Sequence, residues 1–414
     1  MKNANHPYAA IIGGGAAGLM AGCMLARAGV PAVILEKQPR VGRKLLSTGN
    51  GRCNFTNMNA ALRDYHGSAK HIRAALEAFS PQDALDFFES IGVPASIDEE
   101  GRAYPLSNMA AGVLDALRLY AAENGCEIRT EFDVQAISRR GNTYAIEAAS
   151  GEKISAHAVI VACGGLAAPK LGACGDGYKL LEAFGHKTAA RLPAIAAIKT
   201  DPEQVRALKG IRAACEIALV SEGRCVRREA GEILFNETGV SGIAAMQLAR
   251  EANLILKKNG KCALEINFLP GMPKDFIEKR VRILPQRPLD DFLCGVLPKR
   301  LGQVLLKAAG VGPLNLSAET LTSAQQRSLM HILTGWTLAV RGTQGFDNAQ
   351  VTCGGSSLEG FVPETLESKS APGLFAAGEV LDVDGDCGGF NLHWAWASAA
   401  LCCREIARRH ASSH

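Results

Sequence analysis

Cys-x-x-Cys occurs nowhere in this chain, although it carries 13 cysteines. Its absence removes the simplest thiol–disulfide chemistry and the usual zinc spacing. Cys23, Cys163 and Cys174 stand singly among apolar or Gly-rich residues, the pattern of reduced thiols rather than of a short stapled chain. An excess of one charge over the other is nearly absent too. A net +4 over 414 residues gives no reason to expect nucleic acid or an anionic membrane as partner. Internal repeats and low-complexity tracts are missing as well. The apolar stretch Ala9–Leu35 is interrupted by glycines from Gly13 to Gly29 and by Arg27, which argues against a membrane span. Glu36-Lys37 follows it, where a signal peptide would need a cleavage site. The expectation is a cytoplasmic protein of ordinary globular composition, 47% hydrophobic and 21% charged. Its length allows two or three domains.

What is present begins at once. Tyr8–Ile12 is a short apolar run, Ala16–Ala28 is Ala-rich and helical, and Ala32–Glu36 is a second buried strand. Helical spacing runs from His71 to about Ile91 and again over Ala110–Asn124. Glu127–Ala148 alternates as strands do around a hairpin-like turn at Arg139-Arg140-Gly141-Asn142, and Ala158–Ala162 is fully apolar. Near Pro193 the character changes to alternating, β-rich segments (Ala194–Thr200, Glu216–Ser221, Lys261–Phe268). Leu269-Pro270-Gly271-Met272-Pro273 punctuates a switch to helical stretches over Lys274–Lys307 and Ala318–Leu333. Strand and Gly patterns return from about Ala349, and a helix is expected over Asn391–Arg409.

Gly13-Gly14-Gly15-Ala16-Ala17-Gly18 fits G-x-G-x-x-G directly after a strand and opening a helix. Gly13 permits the tight turn, Gly15 lets backbone approach a pyrophosphate, and Gly18 allows close helix–strand packing. Phosphates sit well on the unpaired N–H groups and positive end of such a helix. Glu36 ends the second strand, where a carboxylate accepts hydrogen bonds from a ribose diol and repels an extra 2′-phosphate. With strand, helix, second strand and terminal acid in register, the segment reads as a dinucleotide site.

The fingerprint alone does not separate FAD from NAD. Here the second strand is followed by an irregular polar loop, Gly42 to Asn54, that can track an extended dinucleotide beyond its pyrophosphate. Arg43, Lys44 and Arg52 on it could neutralise phosphate or an electron-rich flavin edge. The strand ending Ala162-Cys163-Gly164-Gly165 is like the Ala-Thr-Gly element of two-part flavoproteins, with Cys163 where Thr is usual. Gly373–Glu379 is like the strand whose acid binds ribityl hydroxyls, with Glu379 at Gly378-Glu379 in place of the usual Asp. Gly388-Gly389-Phe390-Asn391-Leu392 then opens the last helix, whose N-terminus would stabilise a negatively charged reduced ring. No second G-x-G-x-x-G lies between residues 150 and 345, so a dedicated nicotinamide domain is not expected. Transient NAD(P)H binding at the flavin face needs no fingerprint and stays open.

Several blocks recur in order: Gly42–Asn57, Gly101–Pro105, Gly172–Tyr178, Gly231–Phe235, Ser241-Gly242, Leu297–Arg300, Val351–Gly355 and Gly378–Asn391. Through them the chain resembles the bacterial flavoprotein family that includes aminoacetone oxidase and flavoproteins linked to bile-acid dehydroxylation. The resemblance spans nearly the whole chain and implies non-covalent FAD on an α/β fold. That fold is a Rossmann-like FAD-binding domain of the two-dinucleotide-binding-motif type, carrying inserted β-rich and helical units. The expected division is 1–190 and 346–414 for the two parts of the FAD domain, 191–270 for the β-rich insertion and 271–345 for the helical one. The expected cofactor contacts are Gly13, Gly15, Ala16, Ala17, Gly18, Glu36 and Lys37, then Arg43, Lys44, Leu45, Thr48, Gly49, Arg52 and Asn54. Val134, Ala162, Cys163, Gly164, Gly378, Glu379, Gly388, Gly389, Phe390, Asn391 and Leu392 complete that set.

Other residues tempt. Asp382-Val383-Asp384-Gly385-Asp386 starts like a calcium loop, but Cys387 and His393 stand where Gly and Glu are needed, so no metal is expected. Cys53 beside Arg52 could be an activated thiol, although a packed Cys is the simpler role. A general-base role is conceivable for His186 or His393, and core packing suits Trp394, Trp396, Cys402 and Cys403. Lys299 and Arg300 could pair with an acidic substrate or merely face solvent. The reading is an FAD-dependent oxidoreductase passing hydride between a small organic substrate and flavin N5. Either an amine oxidase or an NAD(P)H-fed reductase satisfies it, and the sequence names no catalytic acid or base, electron acceptor or donor. The alternatives are a flavin-bound protein associated with RNA modification and a non-catalytic flavin sensor.

Overall fold

The computed structural model describes residues 7–413, which form two compact units. One runs to Arg191 and resumes at Val351; the other is Leu192–Gln350.

The first unit is organised by a parallel five-stranded sheet. Its order is Leu374–Ala376, Ala158–Val161, β1 (Ala9–Ile12), β2 (Ala32–Leu35) and Glu127–Arg129. Every residue of the four strands other than Glu127–Arg129 is buried, which is why they are continuous apolar runs and not alternating ones. Helix α1 (Ala16–Arg27) follows β1 and packs against the last helix, Phe390–Ala411, where Cys403 Sγ reaches Ala21 O at 3.5 Å. A three-stranded antiparallel sheet (Val134–Arg140, Thr143–Ala148, Lys153–Ala156) turns at Gly141, as the alternation predicts.

The single helical stretch expected over 71–91 is two helices, Ala69–Ala78 and Pro81–Ser90. Ser80 starts the second: its Oγ accepts from Asp83 N at 3.2 Å, and Asp83 Oδ2 accepts from Ser80 N at 2.8 Å. Pro81 at the first helical position cannot donate to the preceding turn, so helix restarts there instead of continuing.

In the second unit a seven-stranded sheet has the order Trp336–Ala339, Ala263–Asn267, Arg212–Ser221, Arg224–Phe235, Gly239–Ser241, Ile198–Lys199, Gly342–Thr343. The helices Phe276–Ile283, Lys299–Ala308 and Ser323–Gly335 precede its last two strands. The segment 271–345, expected to be helical, therefore also delivers an edge strand, with Leu264 opposite Leu338. The helical stretch expected over 274–307 is likewise broken, because Pro285, Pro288 and Pro298 stand between its two helices. Among the described residues no helix is long and apolar enough to cross a membrane.

The tightest contact in the first unit is the crossing of α1 over β1. A Cβ built on Gly18 would stand 1.8 Å from Gly13 O, and one on Gly13, whose φ is +107°, 2.5 Å from Ala162 O. Gly18→Ala therefore forces two backbone segments apart. We expect a loss of about 3 kcal/mol in urea unfolding; a variant as stable as the parent would show that this crossing yields freely.

Candidate functional site

The C-terminal ends of β1, β2, Ala158–Val161 and Leu374–Ala376 lie on one edge of the parallel sheet, where ligands bind in open α/β folds. At β1, Gly13 N donates to Leu35 O at 2.8 Å and ties the turn to the neighbouring strand. Gly15 is the N-cap of α1, with no side-chain cap and no acid in the first turn. The orphan N–H groups and positive end of that helix are thus left for an anion. A Cβ on Gly15 would meet nothing within 4 Å. The space it would enter is the space a phosphate needs, so the cradle fits a dinucleotide. Ala16 and half-buried neighbours continue the turn, while Ala17 and Gly18 are buried beneath it.

Glu36 is held by backbone alone: Oε2 accepts from Gly14 N and Oε1 from Gln38 N, both at 2.7 Å. Each carboxylate oxygen keeps acceptor capacity for a diol. Beside it a cleft is lined by Gly13, Glu36, Lys37, Val134, Cys163 and Asp176, among others. Lys37 Nζ bonds Asp176 Oδ2 at 2.6 Å, a contact that raises the Lys37 pKa. Cys163 Sγ donates to Ile12 O at 3.4 Å, and burial pushes its thiol far above the usual range.

At the far strand the departure noted at Glu379 has a partner. Glu379 Oε1 accepts from Thr352 N at 2.8 Å, and Oε2 pairs with Lys44 Nζ at 2.7 Å. Thr352 Oγ1 in turn accepts from Leu166 N and Ala167 N, which holds the turn after Ala162, Cys163 and Gly164. Gly378, at φ +77°, is gripped by the last helix: its N–H donates to Ser398 Oγ at 2.9 Å, and its O accepts from Trp394 Nε1 at 3.1 Å.

The loop from Arg43 to Asn54 contributes unevenly. Arg43 is spent on Gln38 Oε1 and Lys170 O. Leu45 is buried, and Thr48 Oγ1 donates to Leu45 O at 2.6 Å. Arg52 lies 4.7 Å from the Tyr104 ring centroid. Gly49 takes φ +56° against Asn54 N, and Asn54 is buried. At the last helix Gly388 and Gly389 have positive φ, and Asn391 closes the preceding turn by bonding both N and O of Gly385. Phe390 packs on Tyr65, and Leu392 packs against the core. All expected contacts thus fall in the first unit, but the side chains of Arg43 and Asn391 are committed to protein partners.

The tempting residues resolve into structure. Cys53 is fully buried, its thiol pushed up to about 12 by burial, which leaves no thiolate to activate. His393 is sealed, with Nδ1 2.9 Å from Thr56 Oγ1, and His186 stacks on Phe361 with Nε2 2.8 Å from Ser368 Oγ. Trp396 Nε1 donates to Phe55 O, and Cys402 and Cys403 are buried. Lys299 pairs with Asp291 at 2.7 Å, while Arg300 is exposed. Val383–Gly385 is a strand paired with Tyr65–Gly67. Among the described residues no group of His, Cys, Asp or Glu is placed to hold a metal.

Sequence reasoning missed Thr352 and Asp176; it named Lys44 and Glu379 but not their pairing across 335 positions. The Val351-Thr352-Cys353 block signalled the first without giving it a role. Nothing local could have paired Lys44 with Glu379.

Residues 7–405 match the family described as HI0933-like protein Rossmann domain. The chain is 35% identical to the 3-dehydro-bile acid delta(4,6)-reductase of Clostridium scindens, over 96% of this chain and 98% of that protein. It is 30% identical to the ribosomal RNA dihydrouridine synthase of Escherichia coli, over 96% and 97%. The solved 3-ketosteroid delta1-dehydrogenase from Sterolibacterium denitrificans, in complex with 1,4-androstadiene-3,17-dione, superposes with TM-score 0.55 at 13% identity. That match covers 98% of this chain and 100% of the other and is a likeness of fold.

Burial holds His393 neutral and pulls it from 6.5 to about 4. Between those values the unfolded chain takes up a proton that the folded one refuses, so stability falls as pH drops through the window. The loss reaches about 3 kcal/mol at its lower end. In urea unfolding followed against pH, His393→Gln should flatten that part of the slope; an unchanged slope would contradict it. Mass-spectrometric mapping after brief alkylation at neutral pH should find exposed Cys174 and Cys225 modified and Cys53 spared.

Proposed function

The chain belongs to the HI0933-like Rossmann-domain family, and from that footing we propose that it is an FAD-dependent oxidoreductase reducing a double bond conjugated to a ketone in a polycyclic substrate. The observation that carries the reading is the 35% identity to the bile-acid delta(4,6)-reductase, which extends over 96% of this chain. NAD(P)H, bound transiently, is the proposed source of electrons.

When bound, FAD would supply hydride-transfer chemistry that side chains lack. The chain's own share is holding and orienting it. The first turn of α1 would take the pyrophosphate, with Gly15 leaving the approach open. Glu36 would accept from the ribose diol while two backbone N–H groups keep its carboxylate in place. Val134 and the Lys37–Asp176 pair would wall the adenosine cleft. The Lys44–Glu379 pair would lie along the sugar-alcohol chain, where Lys44 keeps the carboxylate oriented. The positive end of the last helix would favour negative charge on the reduced ring.

A second reading, reduction of a pyrimidine in RNA, draws on the 30% identity to the ribosomal RNA enzyme and on charge distribution. Leu192–Gln350 holds 21 Lys and Arg against 15 Asp and Glu, a balance of +6 where the whole chain carries +4. A basic unit on a nearly neutral chain suits a polyanionic partner.

Anaerobic titration of the purified protein separates the two. Yellow protein bleached by NADH or NADPH, and recoloured by a 3-keto bile acid with a conjugated double bond, would support the first reading. Recolouring only by RNA, with binding that weakens steeply in salt, would replace it with the second. Colourless protein that takes up no added FAD would sink both.

A further inference from the structure

The parallel strands Ala158–Val161 and Leu374–Ala376 are paired as far as Val161 opposite Ala376. Past that point one chain runs on into Cys163-Gly164-Gly165 and the other into Gly378-Glu379. A third segment joins the two extensions. The chain returns to the first unit at Val351, and the next residue, Thr352, bonds both. Its Oγ1 accepts from Leu166 N at 2.8 Å and from Ala167 N at 3.0 Å, and its N–H donates to Glu379 Oε1 at 2.8 Å. Gly165 lies where these groups converge: a Cβ built on it would stand 2.4 Å from Thr352 Oγ1 and 2.8 Å from Glu379 Oε1. Gly165 takes no positive φ, so space and not backbone conformation demands glycine here.

The joined groups differ in what they can reach. Thr352 is buried, and its bonds are spent inside the protein, so it touches no ligand. The side chains of Lys44 and Glu379 are 28% and 22% exposed and stay open to one. A glutamate side chain is flexible, and a partly exposed ion pair holds it only weakly by itself. The buried N–H of Thr352 selects one position for the carboxylate, and Oγ1 fixes that N–H relative to the turn at 165–167. We propose that Thr352 is a positioning residue of the flavin site, acting through Glu379. This rests on the FAD reading above. Replacing the hydroxyl by methyl would leave the Ala167 N–H buried without an acceptor. The turn and the strand carrying Thr352 would then part, and the carboxylate would lose its fixed donor.

The test measures how tightly the purified protein keeps FAD, from the flavin fluorescence regained on dilution. Thr352→Val, which keeps the shape but not the acceptor, should hold FAD about tenfold more weakly, and Thr352→Ser should restore the parent's affinity. A role confined to stability would lower the melting temperature of Thr352→Val and leave its FAD affinity unchanged; that result overturns the inference. Two changes at partly exposed Glu379 decide the matter should Thr352→Val fail to fold. Glu379→Gln retains an oxygen for the Thr352 N–H, whereas Glu379→Asp keeps the charge but draws it back by a methylene. Glu379→Asp should therefore be the weaker binder, and the reverse order overturns the inference. FAD binding stands in either case. Parent protein that takes up no FAD overturns both.

Discussion

Backbone meets backbone where α1 crosses β1, and the approach tolerates no side-chain carbon at Gly18. From that contact the rest of the nucleotide-facing edge takes its position. It brings the helix N-terminus over the strand end, so that uncapped N–H groups are presented where an anion can reach them. It also fixes Gly14 N against Glu36, so the acid at the end of β2 is oriented by the same turn that forms the phosphate cradle. The uncapped helix end and the acid at the end of β2 are thus one mechanical unit, not two adjacent ones.

The last helix is the second beam. Its indole and hydroxyl groups grip Gly378 from both N–H and carbonyl sides, and Trp396 reaches Phe55 O. Segments separated by more than 300 residues are thereby drawn to one helix. This explains why Trp394 and Trp396 sit in the core of a chain with only 6% aromatic residues: their rings fill volume while their N–H groups bond the carbonyls of Gly378 and Phe55.

What the sequence shows and hides follows from the range of the forces involved. The β1–α1–β2 unit was legible because its period, its glycines and its terminal acid are all local. The hairpin at Gly141 was legible for the same reason. The break at Ser80-Pro81 was written in local chemistry too, in a capping box, but was masked by apolar spacing that carries on across it. Prolines 285, 288 and 298 were equally visible and equally outweighed by spacing. The Lys44–Glu379 pair is different in kind. It arises only when distant segments meet. Burial of Cys53 follows the simpler of the two roles its sequence allowed, and Arg52 turns to Tyr104. Thr352, to which the sequence assigned no role, is a hub of three hydrogen bonds.

The parallel sheet has one strand that the chain reaches late. Leu374–Ala376 pairs with Ala158–Val161, but residues 192–350 lie between them in sequence. During translation the ribosome therefore exports the whole second unit before the nucleotide-facing sheet can gain its outer strand or the helix that grips Gly378. The first half of the sheet must wait, with Val159, Ile160 and Val161 lacking their neighbour. A growing chain is thus open at a β-edge for as long as the second unit takes to emerge, which makes that interval its window for aggregation and for chaperone capture.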